Sequence, residues 1–300
     1  MSLLTILPSS SSCSPSCLSK NLRYNQKNLI PNVEFRSMSI LRRNHRRTLN
    51  TISACLRQDT TVWTQAPLTT LTKAAEDLYN ISINVSDSPH LISSYTKPGQ
   101  YIQVKLPEIE KPSFLAIASS PTTSSSSGEF QFLVKSIEGS IAQLLCGLKK
   151  GDVVELSSVM GKGFDVNLIS PPEKFPSIFI FATGSGISPV RSLIESGFPA
   201  NKRPDVWLYY GARNLQRMAY QDRFKEWEAS GVKIVPVLSQ PEDKWDGERG
   251  YVQAAFARAK HIFNPLSTGS VLCGQKQMAE EITSLLVAEG VSTEKILKNF

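Results

Sequence analysis

The sequence is poor in the residues that hold metal ions or form disulfide bonds. It contains five cysteines and three histidines among 300 residues. Three of the cysteines lie within the first 55 residues, which leaves only Cys146 and Cys273 for the rest of the chain. The histidines are far apart in the sequence. These counts exclude a disulfide framework and a cysteine-rich zinc or iron–sulfur centre, and we predict no metal site.

Long apolar runs are also missing. No stretch approaches the ~18 residues that cross a bilayer, so we expect no membrane span. The hydrophobic fraction of 41% is ordinary for a folded protein. A chain of 300 residues with this composition can build a sizeable core in one or two domains.

Acidic residues are nearly missing from the N-terminal segment. Residues 1–57 contain nine Lys and Arg residues and a single acid, Glu34, so this segment carries a formal charge of +8. The whole chain carries +7, which leaves −1 for residues 58–300. The folded part therefore lacks the basic excess that is typical of nucleic-acid binding, and we predict no nucleic-acid partner.

The same segment has the composition of a targeting peptide. The pairs Arg42–Arg43 and Arg46–Arg47 are also found in nucleic-acid arms and nuclear signals, but the serine-rich, acid-poor start favours an organelle transit peptide. Residues 52–55, Ile-Ser-Ala-Cys, resemble a plastid processing site. We predict a transit peptide over residues 1–55 and a chloroplast location, with the mitochondrion as the alternative.

The first half of the remaining chain has the pattern of a small antiparallel barrel. Residues 101–106 alternate between polar and apolar side chains, as a half-buried strand does. Further strands are predicted at 130–135 and 153–156, with Gly and Pro turn signals between them. The serine run at 124–127 is predicted to be an exposed loop. We assign residues 56–170 to this barrel domain.

After prolines 171, 172 and 176, which we read as a linker, the pattern changes to alternating strands and helices. This pattern is typical of a doubly wound α/β domain with a parallel sheet, which we assign to residues 171–300. Strands are predicted at 178–182, 205–210, 233–238, 270–273 and 295–298. Helices are predicted at 189–197, 219–230, 252–260 and 276–289.

A glycine turn follows the first strand of this second domain. An apolar run ends at Gly184 and Gly186, where the backbone can turn tightly and approach a ligand. Ser188 and Pro189 are predicted to be the N-cap and first residue of the helix that follows. A strand, a glycine turn and a helix N-terminus together offer backbone N–H groups to a phosphate.

This stretch resembles the Gly-Thr-Gly-Thr-Gly-Ile-Ala-Pro-x-Arg-Ser segment of the ferredoxin–NADP reductase-like flavoproteins. The matching residues are Thr183, Gly184, Gly186, Ile187, Pro189, Arg191 and Ser192. The resemblance extends over roughly residues 60–300. It implies a flavin-binding barrel followed by a nucleotide domain, with FAD and NADP as cofactors and the turn beneath the pyrophosphate of the nicotinamide nucleotide.

The resemblance also implies a pocket for the adenosine end of the nucleotide. Ser239 and the run Arg249-Gly-Tyr251 match this pocket, where Tyr251 would stack on adenine and Arg249 would pair with a 2′-phosphate. Tyr251 could equally pack on the sheet at a helix start. Gln240 stands where NADP-using members often have arginine, and Arg213, Arg217 and Arg249 could compensate. The choice between NADP and NAD therefore stays open.

Two further segments resemble the site of hydride transfer. Cys273 and Gly274 match the Cys-Gly segment beside the nicotinamide, in which the cysteine positions the ring. The alternative for Cys273 is a small buried core residue. Phe300 matches the aromatic residue that ends several family members and covers the flavin; a frayed terminus is the alternative.

The flavin side departs from the family. Members carry Arg-x-Tyr-Ser on a barrel strand, and this chain has Ser-Phe-Leu115-Ala116, so all three named side chains are lost. Leu115 could pack on the ring, and phosphate binding would have to come from elsewhere. The predicted flavin-binding residues are Leu115, Ala116, Ile117, Ala118, Ser119, Lys135, Gly139 and Ser140.

Two functions from different classes follow. The first is an FAD-dependent oxidoreductase that passes hydride or electrons between NAD(P)H and an unidentified acceptor. The second is a reductase-derived nucleotide-binding protein with a regulatory or scaffold role, which the lost side chains suggest. We favour the enzyme, because the glycine turn, Cys273 and Phe300 are all retained. The sequence does not indicate an oligomeric state.

Overall fold

The structure is a computed structural model that describes residues 62–259 and 262–299. The predicted transit peptide and Phe300 lie outside these residues. The described residues form one antiparallel and one parallel sheet, each of six strands. This is the predicted fold of a barrel followed by a doubly wound α/β domain.

The antiparallel sheet forms the barrel. Its strands are β1 (Thr64–Lys73), β2 (Leu78–Asn84), β3 (Tyr101–Lys105), β4 (Ser113–Ala116), β5 (Glu129–Lys135) and β6 (Val153–Leu156). They lie in the order β4-β3-β6-β1-β2-β5. The alternation predicted for β3 is confirmed, because Ile102 and Val104 are buried in the barrel core and their neighbours are only half-buried. One face of each strand thus supplies the core.

The barrel is nearly closed between its two edge strands. A single bridge joins Ile117, just after β4, to Phe132 in β5. The amide of Ala118 also donates to the carbonyl oxygen of Gln131, with an N–O distance of 2.7 Å. Within the described residues β4 and β5 pair no further, so a seam stays open beside Leu115 and Val134.

Three short helices cover the barrel: α1 (Pro89–Ser94), α2 (Pro121–Ser127) and α3 (Ile141–Leu145). The prediction of a loop at 124–127 was wrong, although residues 125–127 are exposed as predicted. The Ser120 side chain caps α2 by accepting from the Thr123 amide, and Gly128 ends the helix in the left-handed conformation. Ser124 is fully buried, because its hydroxyl lies 2.7 Å from that of Ser119. Cap and terminator therefore outweigh the poor helix propensity of serine.

The parallel sheet forms the second domain. Its strands are β7 (Ser177–Thr183), β8 (Asp205–Ala212), β9 (Lys233–Leu238), β10 (Glu248–Arg249), β11 (Thr268–Cys273) and β12 (Ile296–Lys298), in the order β10-β9-β8-β7-β11-β12. The central strands are continuous apolar runs because helices cover both faces of such a sheet. From β7 the chain proceeds to one edge through β8, β9 and β10 and then returns to β11 on the other side. The gap between β7 and β11 is the switch point where ligands of such sheets bind.

Four helices accompany this sheet: α4 (Ile187–Glu195), α5 (Phe224–Ala229), α6 (Val252–Ala259) and α7 (Lys276–Ala288). The helix predicted over 219–230 is shorter than expected. Tyr220 adopts the left-handed conformation, with φ of 63°, and a 3-10 turn at Gln221–Arg223 precedes α5. A left-handed residue cannot continue a right-handed helix, so the regular part starts later.

Helix α4 lies between the parallel sheet and the barrel, and every residue from Ile187 to Ile194 is buried. Its apolar residues pack into the sheet core, which also takes in Leu78 and Leu133 from the outer face of the barrel. Polar residues of α4 contact the barrel directly. Arg191 donates to the Gln131 side-chain oxygen at 2.7 Å, and the Ser192 hydroxyl lies 2.6 Å from that of Tyr95.

The described residues contain neither a membrane-spanning helix nor a metal-binding cluster. None of their helices combines the length and apolar character of a membrane span. Within residues 62–259 and 262–299, no group of three or more His, Cys, Asp or Glu side chains is arranged to hold a metal ion.

Candidate functional site

A cavity of about 810 Å³ lies between the barrel seam and the carboxyl ends of the parallel strands. Its volume is within the range of about 300–1,000 Å³ that is usual for small-molecule sites. The barrel contributes β4 and β5 to its wall, and the sheet contributes the ends of β7, β8, β9 and β11. The predicted site residues that line it are Leu115, Ala116, Lys135, Thr183, Gly184, Gly186, Arg213, Ser239, Tyr251, Cys273 and Gly274.

At the switch point two tight turns fit against each other. The Thr183 hydroxyl accepts a hydrogen bond from the Gln275 amide at 2.9 Å. A Cβ atom on Gly186 would lie 2.5 Å from the Cys273 carbonyl oxygen, and one on Gly274 would overlap the Thr183 hydroxyl. Both glycines are therefore required by close backbone approach. The contact brings the end of β7 and the end of β11 together.

The start of α4 differs from the prediction. Gly184–Gly186 forms a 3-10 turn that leads directly into α4 at Ile187, so Ser188 lies inside the helix and not at its N-cap. Its hydroxyl instead donates to the carbonyl oxygen of Ala116 in β4, at 3.1 Å. Ser188 stands where the family segment has alanine. That difference in the sequence was a signal for this contact, which joins the nucleotide turn to the barrel strand.

Cys273 ends β11 and is buried at 8% exposure, although it lines the cavity. Burial raises the pKa of its thiol to about 12. The side-chain amide of Asn299 donates to its sulfur at 3.5 Å, a contact that no sequence signal indicated. A thiol with this pKa is neutral at physiological pH, so it can position a ring but does not act as a nucleophile.

The predicted adenosine pocket is only partly assembled. Arg213, Ser239 and Tyr251 line the cavity. Arg249 does not: its guanidinium donates to the carbonyl oxygens of Asp243 at 3.1 Å and Trp245 at 2.6 Å. It lines a separate, shallow hollow beside β9 and β10. In the structure the neighbouring loop carbonyls hold the Arg249 side chain outside the cavity wall, and its pairing with a 2′-phosphate stays a prediction.

Ile117, Ala118 and Ser119 are also outside the cavity wall. All three are fully buried, because Ile117 and Ala118 pair with β5 and the Ser119 hydroxyl bonds to that of Ser124 in α2. Ile187 is buried in the sheet core. The cavity at this end is lined instead by Leu133 and Val134 of β5, which the sequence reasoning did not single out.

Gly139 and Ser140 precede α3 as predicted, but they too lie outside the cavity wall. The Gly139 amide donates to the side-chain oxygen of Gln143 at 2.9 Å. The Ser140 hydroxyl accepts from the Gln143 backbone amide at 3.3 Å. Ser140 is thus the N-cap of α3, and Gln143 closes the turn that precedes the helix by accepting from Gly139.

Most charges at the cavity are already paired. Lys135 lies 3.5 Å from the Asp77 carboxylate. Arg217 pairs with Glu76 at 2.8 Å and with Asp77 at 3.3 Å, and this guanidinium lowers the pKa of Glu76. Arg213 makes no ion pair or side-chain hydrogen bond with the residues that the structure describes. It is the cation available to a ligand.

The residues present fit a flavin ring better than a flavin diphosphate. The half-buried Leu115 gives the barrel seam an apolar surface suited to an aromatic ring system, and the almost fully buried Leu133 and Val134 border it from β5. The expected phosphate turn is closed by Gln143, and the cations on this side are paired with carboxylates. At the switch point, by contrast, the glycine turn leads into the N-terminus of α4, and the backbone N–H groups of a helix N-terminus suit a phosphate.

Comparison with known proteins agrees with this geometry. Residues 180–284 match the family described as the oxidoreductase NAD-binding domain. Over 264 residues the chain is 48% identical to fruit protein pKIWI502 of Actinidia deliciosa, covering 84% of this chain and 83% of that protein.

More distant relatives are named as reductases. The chloroplastic ferredoxin–NADP reductase of Spinacia oleracea is 28% identical over 174 residues, covering 52% of this chain and 46% of that enzyme. This chain thus spans about half of that relative. The solved structure of a ferredoxin NADP+ reductase from Neisseria gonorrhoeae with bound FAD and NADP has a TM-score of 0.65 at 19% identity, covering 79% of this chain and 99% of that one. The chain therefore belongs to the ferredoxin–NADP reductase-like family of flavin oxidoreductases.

Proposed function

We propose that this protein is an FAD-dependent oxidoreductase that passes hydride or electrons between NAD(P)H and an acceptor. The observation that carries the proposal is the shared cavity. One wall is the open barrel seam at Leu115 and Ala116, and the opposite wall is the pair of turns at Gly184–Gly186 and Cys273–Gly274. Such a site can hold two ring systems face to face, which is what hydride transfer requires.

The chain's own residues bind, orient and exclude water. The glycine turn and the first turn of α4 would hold the nucleotide phosphates through backbone N–H groups. Cys273 would fix the edge of the nicotinamide through its neutral thiol, which Asn299 holds in place. Leu115 would keep water from the opposite ring. A bound flavin supplies the chemistry of accepting a hydride and passing electrons on singly or in pairs.

For the nucleotide, we propose NADPH as the preferred donor, with NADH as an alternative. Arg213 supports this preference, because it is an exposed cation at the end of β8 without an ion-pair partner among the described residues. Ser239 lines the same part of the cavity and can donate to a phosphate oxygen. A guanidinium and a hydroxyl together suit a 2′-phosphate.

We also propose that the protein is imported into chloroplasts. The support is the serine-rich, acid-poor composition of residues 1–55. A fusion of these residues to a fluorescent protein is expected to enter plastids, and a cytosolic or nuclear signal would contradict the proposal. A mitochondrial signal would select the alternative.

The function is tested with the purified full-length chain. With FAD added, it is expected to oxidise NADPH in the presence of ferricyanide, an artificial one-electron acceptor. The rate should saturate in both NADPH and FAD. No oxidation of either NADPH or NADH at high micromolar FAD would overturn the enzyme proposal.

The second candidate is a nucleotide-binding regulatory or scaffold protein. It is favoured by the lost flavin side chains at residues 113, 115 and 116 and by the closed turn at Gly139. In that case the protein would bind NADPH, measured by calorimetry, but would neither bind a flavin nor turn over. The two measurements together separate the candidates.

A further inference from the structure

We propose that the flavin is a dissociable substrate of this protein, recognised through its ring and not through its phosphates. Riboflavin, FMN and FAD would then serve alike, and the electron acceptor would be the flavin itself, which leaves after reduction. This inference rests on the proposed function, since it concerns the same cavity.

The first support is the pairing of the basic residues that line the cavity. Among the described lining residues only Lys135, Arg213 and Arg217 are basic. Lys135 and Arg217 share the Asp77 carboxylate, and Arg217 is also held by both oxygens of Glu76, at 2.8 and 3.1 Å. A diphosphate would have to displace these carboxylates. The negative charge of the carboxylates would also repel the diphosphate. Lys135 and Arg217 therefore contribute little to diphosphate binding.

The second support is the turn before α3. In this chain the Gly139 amide donates to the side-chain oxygen of Gln143 at 2.9 Å. The Ser140 hydroxyl donates to the Ile137 carbonyl oxygen at 2.6 Å. The Gly139 amide and the Ser140 hydroxyl are thus used within the turn itself, which leaves the first amides of α3, those of Ile141 and Ala142, to meet a phosphate. Since α3 has only five residues, it adds no substantial helix dipole.

The third support is β4, where an arginine would be needed. Ser113 takes the place of that arginine and lines the cavity with a short neutral side chain. Phe114 beside it is 64% exposed and lies at the cavity wall. This side of the site therefore offers aromatic and aliphatic surface to a ring and, in the described chain, no unpaired positive charge to a phosphate.

The remaining cation, Arg213, makes no ion pair among the described residues, although it stands in the same loop as Arg217 and its charge helps to lower the pKa of Glu76. Arg213 follows β8 and lies with Ser239 at the ends of neighbouring strands. The cavity is therefore asymmetric. One end can bind an anion and suits the nicotinamide nucleotide. The other end is apolar and suits the flavin ring, whether or not the flavin carries a phosphate or a diphosphate.

In the proposed reaction the oxidised flavin is the oxidant and NAD(P)H is the reductant. A hydride, carrying two electrons, leaves C4 of the nicotinamide and adds to the oxidised flavin, and one proton from solvent completes the dihydroflavin. The products are NAD(P)+ and reduced flavin. With few contacts beyond the ring, the reduced flavin dissociates and a fresh oxidised molecule enters.

The test is a titration of the purified full-length chain with riboflavin, FMN and FAD, followed by flavin fluorescence. The expected dissociation constants agree within about threefold, and added flavin should be lost on gel filtration. Under anaerobic conditions with excess NADPH, reduced flavin should accumulate to many equivalents per protein. Binding of FAD more than about a hundredfold tighter than riboflavin, or retention of one FAD per chain through gel filtration, would overturn the inference.

A variant that gains phosphate binding gives a second test, because a misfolded protein would not bind FMN and FAD more tightly. Ser113→Arg restores a guanidinium on β4 and is expected to tighten FMN and FAD binding by about tenfold, while riboflavin is unaffected. Ser113→Gln, which is long but neutral, is the matched control and should change the binding of all three flavins by the same factor, because it adds length without charge. If Ser113→Arg tightens none of them, the phosphates do not approach β4 and the reasoning from Ser113 is wrong.

These outcomes are separate from those of the proposed function. Tight FAD with turnover toward ferricyanide would leave the oxidoreductase proposal standing and remove only the dissociable-substrate inference. Binding of no flavin, with no NADPH oxidation, would remove both.

Discussion

Cys273 is the residue in which packing and chemistry are most closely combined. Its side chain is buried at the end of β11, yet it reaches the cavity wall. The sequence could indicate the cysteine through its Cys-Gly context. It could not indicate Asn299, because that residue is adjacent in space only after β12 pairs beside β11. The supporting partner of a site residue is generally set by topology and not by local sequence.

Replacement of Cys273 by alanine tests its positioning role. Cys273→Ala should slow single-turnover reduction of flavin by NADPH by about 10- to 100-fold, because small misplacement of the ring costs most in the transition state. Stopped-flow absorbance measures this step. Binding of both ligands and the melting temperature should change little. An unchanged rate with a lowered melting temperature would show that the thiol serves only in packing.

The raised thiol pKa values give a pH prediction. Burial raises the pKa of Cys273 to about 12 and that of Cys146 to about 11. A raised pKa keeps an acid protonated, so both thiols are neutral from pH 6 to pH 9, and the rate of flavin reduction should not follow a thiol titration there. Iodoacetamide, which needs the thiolate, should label these two peptides slowly in the native protein and rapidly in urea, as measured by mass spectrometry. Rapid native labelling of Cys273 at pH 8 would contradict its burial.

Arg213 and Arg249 allow a matched comparison of two alanine variants. Arg213→Ala should weaken NADPH binding more than NADH binding, by ~1–2 kcal/mol because the site is exposed. Arg249→Ala should affect the two nucleotides equally, since its guanidinium is held by loop carbonyls away from the cavity. Dissociation constants from calorimetry decide the matter. A selective loss of NADPH binding in Arg249→Ala would return that residue to the 2′-phosphate site.

At the scale of elements, the sequence predicted the sheet strands well. The apolar runs of β7 and β8 and the alternation in β3 follow directly from burial on both faces or on one. The sequence-based prediction was wrong where capping residues decide whether a helix forms and where it begins. Ser120 and Gly128 turn a serine run into α2, and the 3-10 turn at Gly184–Gly186 removes the cap role from Ser188. The sequence also did not indicate that loop carbonyls hold the Arg249 side chain outside the cavity wall, because the path of a loop decides where a long side chain is held.

The turn after β11 carries an element-level prediction. Gly274 has φ of 141°, and a Cβ atom there would overlap the Thr183 hydroxyl. Gly274→Ala should lower the free energy of unfolding by about 2–4 kcal/mol and weaken nucleotide binding as the β7 and β11 turns separate. Gly147→Ala is the control, since its added Cβ would lie 3.4 Å from its nearest neighbour, the Leu144 carbonyl oxygen. It should cost less than about 1 kcal/mol. Urea denaturation measures both, and equal stability of the two variants would contradict the close approach.

At the scale of the whole molecule, the site exists only because barrel and sheet share a wall. The sequence indicates each half separately through its own periodicity. It does not indicate that Leu78 and Leu133 leave the barrel core for that of the sheet, nor that Glu76 reaches Arg217. Such long-range contacts depend on how the outer faces of two finished domains fit, which no local pattern encodes.

Helix α4 meets the nucleotide site at its first turn and the barrel along its side. The Ser188 hydroxyl holds the Ala116 carbonyl, and Arg191 holds Gln131. Thermodynamic linkage follows from this arrangement: a nucleotide that restrains the helix also restrains the barrel strands. In hydrogen–deuterium exchange, saturating NADP+ should slow exchange of the Ala118 and Gln131 amides. In Arg191→Ala that protection should be lost while protection at Gly184–Gly186 persists. A barrel that exchanges at the same rate with and without nucleotide would show that the two halves respond independently.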